Sequence, residues 1–201
     1  MIRFQSGDIL FQDLGCGPVA DAINGVTPGY ANAEINHCGI VHVVQGHIFV
    51  IEAIAPHVRA LPIDIFLNRN VDHKNRPAVM LGRVTRELYN LVPAAVDFCA
   101  EQAGKRYDPL FLPDEGTFYC SELIVEGFRF ANSGHAVFAK MPITFKSPDT
   151  GEILPFWVQY YSRFGVAVPE GVPGSNPGTL SLDPRIKIIG QLGSMRGAPI
   201  T

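Results

Sequence analysis

The sequence has no CxxC pair, no cationic excess and no long apolar run, and each absence removes a class of function. Its four cysteines stand apart at positions 16, 38, 99 and 120, which fits neither a disulfide-dense scaffold nor a zinc ribbon. Sixteen Lys and Arg face 19 Asp and Glu, for a formal net charge of −3. Nucleic-acid binding needs a basic footprint, so no nucleic-acid partner is expected. No stretch approaches the roughly 20 apolar residues of a membrane helix, so no integral membrane segment is expected. The stretch from Met1 to Asp8 has no apolar h-region and no small-residue cleavage site, which points to a soluble, cytoplasmic protein. Repeats and low-complexity linkers are also missing, and one domain over residues 1–201 is the expectation. What is present is an ordinary globular balance, 47% hydrophobic and 17% charged, ample for a buried core.

Short apolar runs and turn signals set the local structure. Ile9–Gln12 reads as a strand, and Gly17 to Asn24 as a short helix ending at the turn-rich Asn24-Gly25. Two β-rich runs, His37 to Val44 and His47 to Ala53, flank Gln45-Gly46 and read as a hairpin. Val79 to Val84 and Ile186 to Ile189 are further strands. Pro93 to Ala103 reads as a helix with Pro in its first turn, Gly104 as its stop, and an apolar stripe of Val92, Val96, Cys99 and Ala103. Cys120 to Asn132 reads as a second helix, ended by Ser133-Gly134. Residues 140–184 are rich in Pro and Gly around an aromatic island, Phe156 to Phe164, and are expected to form a lid or a substrate-pocket segment.

The hairpin tests which polar residues share a face. With Gln45-Gly46 as a two-residue turn, Val44 faces His47, Gly39 faces Glu52 and His37 faces Ile54. Alternation then puts His37, Gly39 and Glu52 on one side of the sheet. His37 and Glu52 are diagonal neighbours, at roughly 7–8 Å backbone spacing, which a Glu side chain can bridge. A carboxylate there fixes the tautomer of the imidazole and favours its protonated form. A loop of three residues would put the two on opposite faces.

The same alternation sorts the thiols. Cys38 follows His37 directly and points to the other face. Cys99 lies on a helical apolar stripe and reads as a small buried hydrophobe. Cys16 sits in a Gly-rich loop with nothing nearby to activate it. Cys120 stands at a helix start, where unpaired N–H groups and the positive dipole end favour a thiolate and can receive an oxyanion. A metal reading is weak: His42 lies on the opposite face from His37, His47 adds no set, and no metal or other cofactor is expected.

These residues resemble a family. Gly7-Asp8-Ile9-Leu10-Phe11, His37-Cys38-Gly39-Ile40-Val41, Phe49-Val50-Ile51-Glu52-Ala53, Gly104-Lys105-Arg106-Tyr107 and Tyr119-Cys120-Ser121-Glu122-Leu123 resemble the motifs of the NlpC/P60 papain-like cysteine peptidases. The cysteine motif comes last here, so the order is similar to the circularly permuted YiiX/YebB-like branch, from Gly7 to about Asn132. The resemblance implies an α+β fold, with a central antiparallel β-sheet packed against helices. It implies Cys120 as nucleophile, His37 as general base and Glu52 as the residue orienting His37, acting through an acyl-enzyme on an amide bond in a peptide such as a cell-wall fragment. Tyr107, Tyr119, Ser121 and Trp157 are the candidate substrate-binding residues, facing a small peptide or acyl-amide substrate. Two departures stand out. Tyr119 occupies a position where many members carry Asp, and Asp114 stands six before the cysteine where papain has its oxyanion glutamine.

Two other functions compete with a cysteine peptidase. The order His, polar residue, Cys is also similar to the lecithin:retinol acyltransferase-like enzymes, which would make the protein a lipid acyl hydrolase or acyltransferase. Those enzymes carry a third-residue histidine and an Asn before the cysteine, unlike Glu52 and Tyr119. The remaining alternative is a non-catalytic ligand-binding module on the same fold. The shape of the pocket beside Cys120 discriminates the first two: a short polar cleft suits peptides, and a long dry tunnel suits acyl chains.

Overall fold

The structure, a computed structural model, describes residues 3–15, 17–113 and 116–198. In chain order the elements are β1 (Ile9–Gln12), α1 (Pro18–Asn24), β2 (His37–Val44), β3 (His47–Ile54), β4 (His57–Pro62), α2 (Ile63–Asn68) and β5 (Val79–Val84). There follow α3 (Val92–Glu101), β6 (Arg106–Tyr107), β7 (Thr117–Phe118), α4 (Cys120–Ala131), β8 (Met141–Pro142), α5 (Pro155–Ser162), β9 (Pro173–Gly174), α6 (Pro177–Ser181) and β10 (Ile186–Leu192). Eight strands form one sheet in the order β10-β5-β1-β2-β3-β4-β6-β7, and β8 pairs with β9 separately. Every pairing in the large sheet is antiparallel except the short parallel contact of β6 with β7. This is the α+β architecture implied by the sequence motifs.

Strand alternation divides the apolar residues into two cores. Ile9, Phe11, Cys38, Ile40, Ile51 and Ala53 pack on one face with residues of α3 and α4. Leu10, Val41, Val50, Leu61 and Phe66 pack on the other, where Phe66 comes from α2. Both faces of the central strands are covered, so their side chains are buried on either side and the runs read as nearly continuous apolar sequence.

The hairpin takes the expected register, with Val44 opposite His47 and Ile40 opposite Ile51. Gln45 (φ 50) and Gly46 (φ 82) both have positive φ, the two-residue turn whose twist matches the strands it joins. On α4, Gly127 lets α3 approach closely: a Cβ there would lie 2.8 Å from Cys99 Sγ and 2.9 Å from the Ala95 carbonyl oxygen. β4 and α2 are absent from the sequence-based reading. Pro56 and Pro62 bracket β4 and interrupt the apolar alternation, and α2 is only six residues long, too short to show a helical period. β10 runs three residues beyond the expected strand, past a bulge between Ile188 and Gly190. The aromatic island forms α5.

Candidate active site

Three elements bring the candidate catalytic residues together. His37 opens β2, Glu52 lies near the end of β3, and Cys120 is the first residue of α4. His37 Nε2 lies 2.7 Å from Glu52 Oε2, the link expected from the hairpin register. Both residues are buried, Glu52 completely. Cys120 approaches from the other side of the sheet, packed with Cys38 and Ile40 in the α3/α4 core. The arrangement therefore crosses the sheet, and His37 at the strand end meets Glu52 on one side and Cys120 on the other. With Nε2 engaged by Glu52, Nδ1 is the nitrogen left for the thiol.

Cys38 is closer to this chemistry than alternation alone suggested. It points away from Glu52, as expected, but that is the face onto which α4 packs. The Cys38 side chain and backbone N–H both hydrogen-bond to Cys120. The Cys38 contact, opposed by burial and reinforced by His37, holds the Cys120 thiol well below its ordinary value. Burial and the neighbouring Cys120 push the Cys38 thiol well up. The pair thus favours a Cys120 thiolate receiving a hydrogen bond from the Cys38 thiol. Burial would depress His37, but its contacts with Cys120 and Glu52 outweigh that and raise it. Burial likewise opposes ionisation of Glu52, yet hydrogen bonds from His37 and Arg69 hold it far below the usual carboxylate range. Cys99 is buried, and burial pushes its thiol up. Cys16 and Asp114 lie outside the described residues.

Two recesses meet at this point. Cys120 lines one with Tyr107, Phe111, Tyr119, Phe145 and Trp157, and His37 lines the other with Ile54, Pro109 and Tyr160. Asn36, Tyr107 and Phe111 border both. Of the candidate substrate residues, the structure brings Tyr107, Tyr119 and Trp157 to the wall. Ser121 is fully buried and accepts a hydrogen bond from Ser175 Oγ at 2.9 Å, so it ties β9 and its neighbours to α4. Ser175 N–H also donates to the Tyr119 hydroxyl at 3.0 Å. Trp157 is 2% exposed, and its Nε1 has no hydrogen-bond partner among the described residues.

Phe111 and Asn36 escaped the sequence-based reading. Phe111 has a left-handed backbone (φ 54), uncommon for a bulky residue and characteristic of sites that aim a side chain. Asp108 builds that loop by accepting the N–H groups of Leu110 at 2.7 Å and Leu112 at 2.8 Å. Asn36 donates to Asp13 Oδ1 at 2.5 Å and accepts the Leu14 N–H at 2.9 Å. Asp-Pro followed by a Pro-bounded loop was the available signal for Phe111; Asn36 offered only its place beside His37.

Among the described residues, no group of three or more His, Cys, Asp or Glu is placed to hold a metal ion, and no helix is long and apolar enough to cross a membrane. Residues 3–190 match the family described as permuted papain-like amidase enzymes, YaeF/YiiX, C92 family. No curated protein matches the chain. A crystal structure of the metalloprotein yiiX from Escherichia coli O157:H7 superposes with a TM-score of 0.70 at 21% identity, covering 93% of this chain and 97% of that one.

Proposed function

The chain belongs to the permuted papain-like amidase family, and on that premise we propose that it is a cysteine hydrolase that cleaves an amide bond in a peptide, with Cys120 as nucleophile, His37 as general acid and base, and Glu52 as the residue that orients His37. The observation that carries this reading is the buried line from Glu52 through His37 to Cys120, anchored by the 2.7 Å contact at Nε2. The Cys120 thiolate attacks the acyl carbon, and the carbonyl π electrons move to oxygen. The helix start of α4 offers N–H groups that have no intrahelical acceptor, and these receive the oxyanion. Its collapse breaks the C–N bond while His37 Nδ1–H protonates the leaving amine. In the second half His37 Nδ1 takes a proton from water, hydroxide adds to the thioester, and the acid leaves as the thiolate re-forms.

The wall beside Cys120 favours an uncharged acyl component. It is narrow and built mostly from aromatic and aliphatic side chains, with Trp157 Nε1 as an unpaired donor. An acyl group carrying one hydrogen-bond acceptor satisfies both features. The same apolar wall supports a second reading, the transfer or hydrolysis of a lipid acyl group. We propose that residues 140–184, which supply Phe145, Trp157 and Ser175 to the wall, close over the bound substrate. The E. coli relative is called a metalloprotein; the donor set here does not suit a metal, and no step is assigned to one.

The test is to treat the protein with a thiol-directed acyl electrophile and map the adduct by mass spectrometry. Cys120 is expected to carry it, and Cys120→Ser is expected to abolish amide hydrolysis with the circular dichroism spectrum unchanged. Labelling at another cysteine together with full activity in Cys120→Ser would overturn the assignment of the nucleophile, whereas no hydrolysis of any amide by the unmodified protein would leave the binding-module reading. A panel of N-acyl amides, from short acyl groups to long chains, separates the peptide from the lipid reading.

A further inference from the structure

Glu52 is held by more than His37. Arg69, which follows α2, donates from Nη1 to Glu52 Oε1 at 2.9 Å and from Nη2 to Oε2 at 2.6 Å. The guanidinium is itself fixed on two further sides. Its Nε donates to Gln12 Oε1 at 2.7 Å, and its Cζ sits 4.3 Å over the Phe66 ring. Gln12, fully buried, is locked in turn by donating to the Phe66 carbonyl at 3.1 Å. Arg59 also donates to Oε1, from Nε at 3.0 Å, but its side chain is 42% exposed against 18% for Arg69. Glu52 Oε2 therefore accepts from both Arg69 and His37, and Oε1 from both arginines. A carboxylate filled in this way is an acceptor only. The hydrogen between Glu52 and His37 has to sit on Nε2.

We propose that Arg69 is a positioning residue of the reaction: by gripping both oxygens of Glu52 it fixes which His37 nitrogen carries a proton and keeps Nδ1 turned to Cys120. The proposal deepens the catalytic reading above and rests on it. A planar two-pronged fork is what the geometry uses, and a lysine supplies only the charge. Arg69 also tempers the negative field that Glu52 exerts on the imidazole. The titratable and charged groups around this pair are Cys38 on β2, Cys120 from α4, Glu52 from β3, Arg59 from β4, Arg69 after α2 and Tyr107 from β6. Asp13 stands behind Asn36, already paired with Arg196 at 2.6 Å. Removing the Arg69 charge alone leaves the surroundings of His37 more negative and its proton harder to lose.

The test is nitrogen-15 NMR of the imidazoles in the full chain, with the His37 signals assigned by their loss in His37→Asn. In the unmodified protein, His37 is expected to be the Nε2–H tautomer when neutral. In R69Q its titration midpoint is expected to rise by ~0.5 unit or more, with both tautomers populated. In R69K the midpoint is expected to return while the tautomer mixture persists. A merely structural role for Arg69 would give neither the upward shift nor the split between the two variants. An unchanged or lowered midpoint in R69Q, or an unmixed tautomer in R69K, would overturn the proposal. R69K keeps it testable if R69Q does not fold. The catalytic reading fails separately: if Cys120→Ser leaves the His37 midpoint where it was, Cys120 and His37 do not form a pair, whatever Arg69 does to Glu52.

Discussion

At the scale of single residues, the two neighbouring thiols divide one task. The Cys120 thiol is held low because Cys38 and His37 both face it, against the effect of burial; Cys38 keeps its proton because it is buried beside Cys120. Cys38→Ala removes a donor to the thiolate, so the Cys120 value is expected to rise and its alkylation at mildly acidic pH to slow, read by mass spectrometry across a pH series. Cys38→Ser, which keeps a donor, is expected to retain more of the acid-side reactivity; equal profiles for both variants and the unmodified protein would show that the contact is idle. The direction of the two shifts also sets a window. Cys120 is lowered and His37 raised, so the thiolate–imidazolium pair forms as pH rises through the Cys120 value and is lost as pH rises through the His37 value. Turnover is expected to follow a bell between them. Residue identity and alternation made His37 and Glu52 legible, because both sit on one hairpin. Arg59 and Arg69 were not legible: charged residues at those positions look like a solvated surface until β4 and α2 fold back over Glu52.

At the scale of elements, α4 carries both the proposed nucleophile and a buried acid. Glu122, in the first turn, is pushed up to about 8 by burial and then by the charge of Asp108. Its folded value lies above its unfolded value, so the unfolded chain loses this proton first. The stability tied to a neutral Glu122 is complete below the unfolded carboxyl value and is lost as pH rises through about 8. Glu122→Gln is expected to flatten the fall of Tm between about pH 5 and about pH 8, measured by calorimetry. Parallel slopes in the two proteins would contradict it. The α3–α4 contact makes a second prediction. Gly127→Val forces a branched side chain against Cys99 Sγ and the Ala95 carbonyl, both already under 3 Å from an added Cβ. Overpacking of this kind costs about 1–3 kcal/mol, seen as a lower denaturant midpoint with the slope unchanged. The element boundaries of α3 and α4 were readable because Pro, Gly and the apolar stripe mark them. The start of α4 mattered most, since it placed Cys120 at a helix end from sequence alone.

At the scale of the whole molecule, the proposed substrate wall is assembled from segments far apart in the chain. Loop 108–113 contributes Phe111, α5 contributes Trp157, and the two are joined by hydrogen bonds of 2.8 Å from the Tyr160 and Tyr161 hydroxyls to the Pro109 and Leu110 carbonyls. Trp157→Phe keeps an aromatic ring in the core but removes the unpaired N–H together with part of the indole volume at a buried site. The orphan donor itself gives no stability, so any fall in Tm is expected to come from the cavity alone. A hydrogen bond to substrate is worth roughly 0.5–1.5 kcal/mol, so kcat/KM on an accepted amide is expected to fall about two- to twelvefold. A fall in Tm without a change in kcat/KM would mark Trp157 as a packing residue alone.

The sequence by itself determined the hairpin register, the helix start at Cys120 and the permuted order of the motifs, because period-two alternation, turn residues and helix-end signals are local properties of the chain. The tertiary structure decided everything that depends on which face meets which partner. It placed α4 on the Cys38 side of the sheet and Glu52 on the α2 side, spread the proposed triad across the strand ends, and closed Arg69 onto a carboxylate seventeen residues away. Those contacts depend on how helices dock on a twisted sheet, and no local pattern of residues encodes the docking.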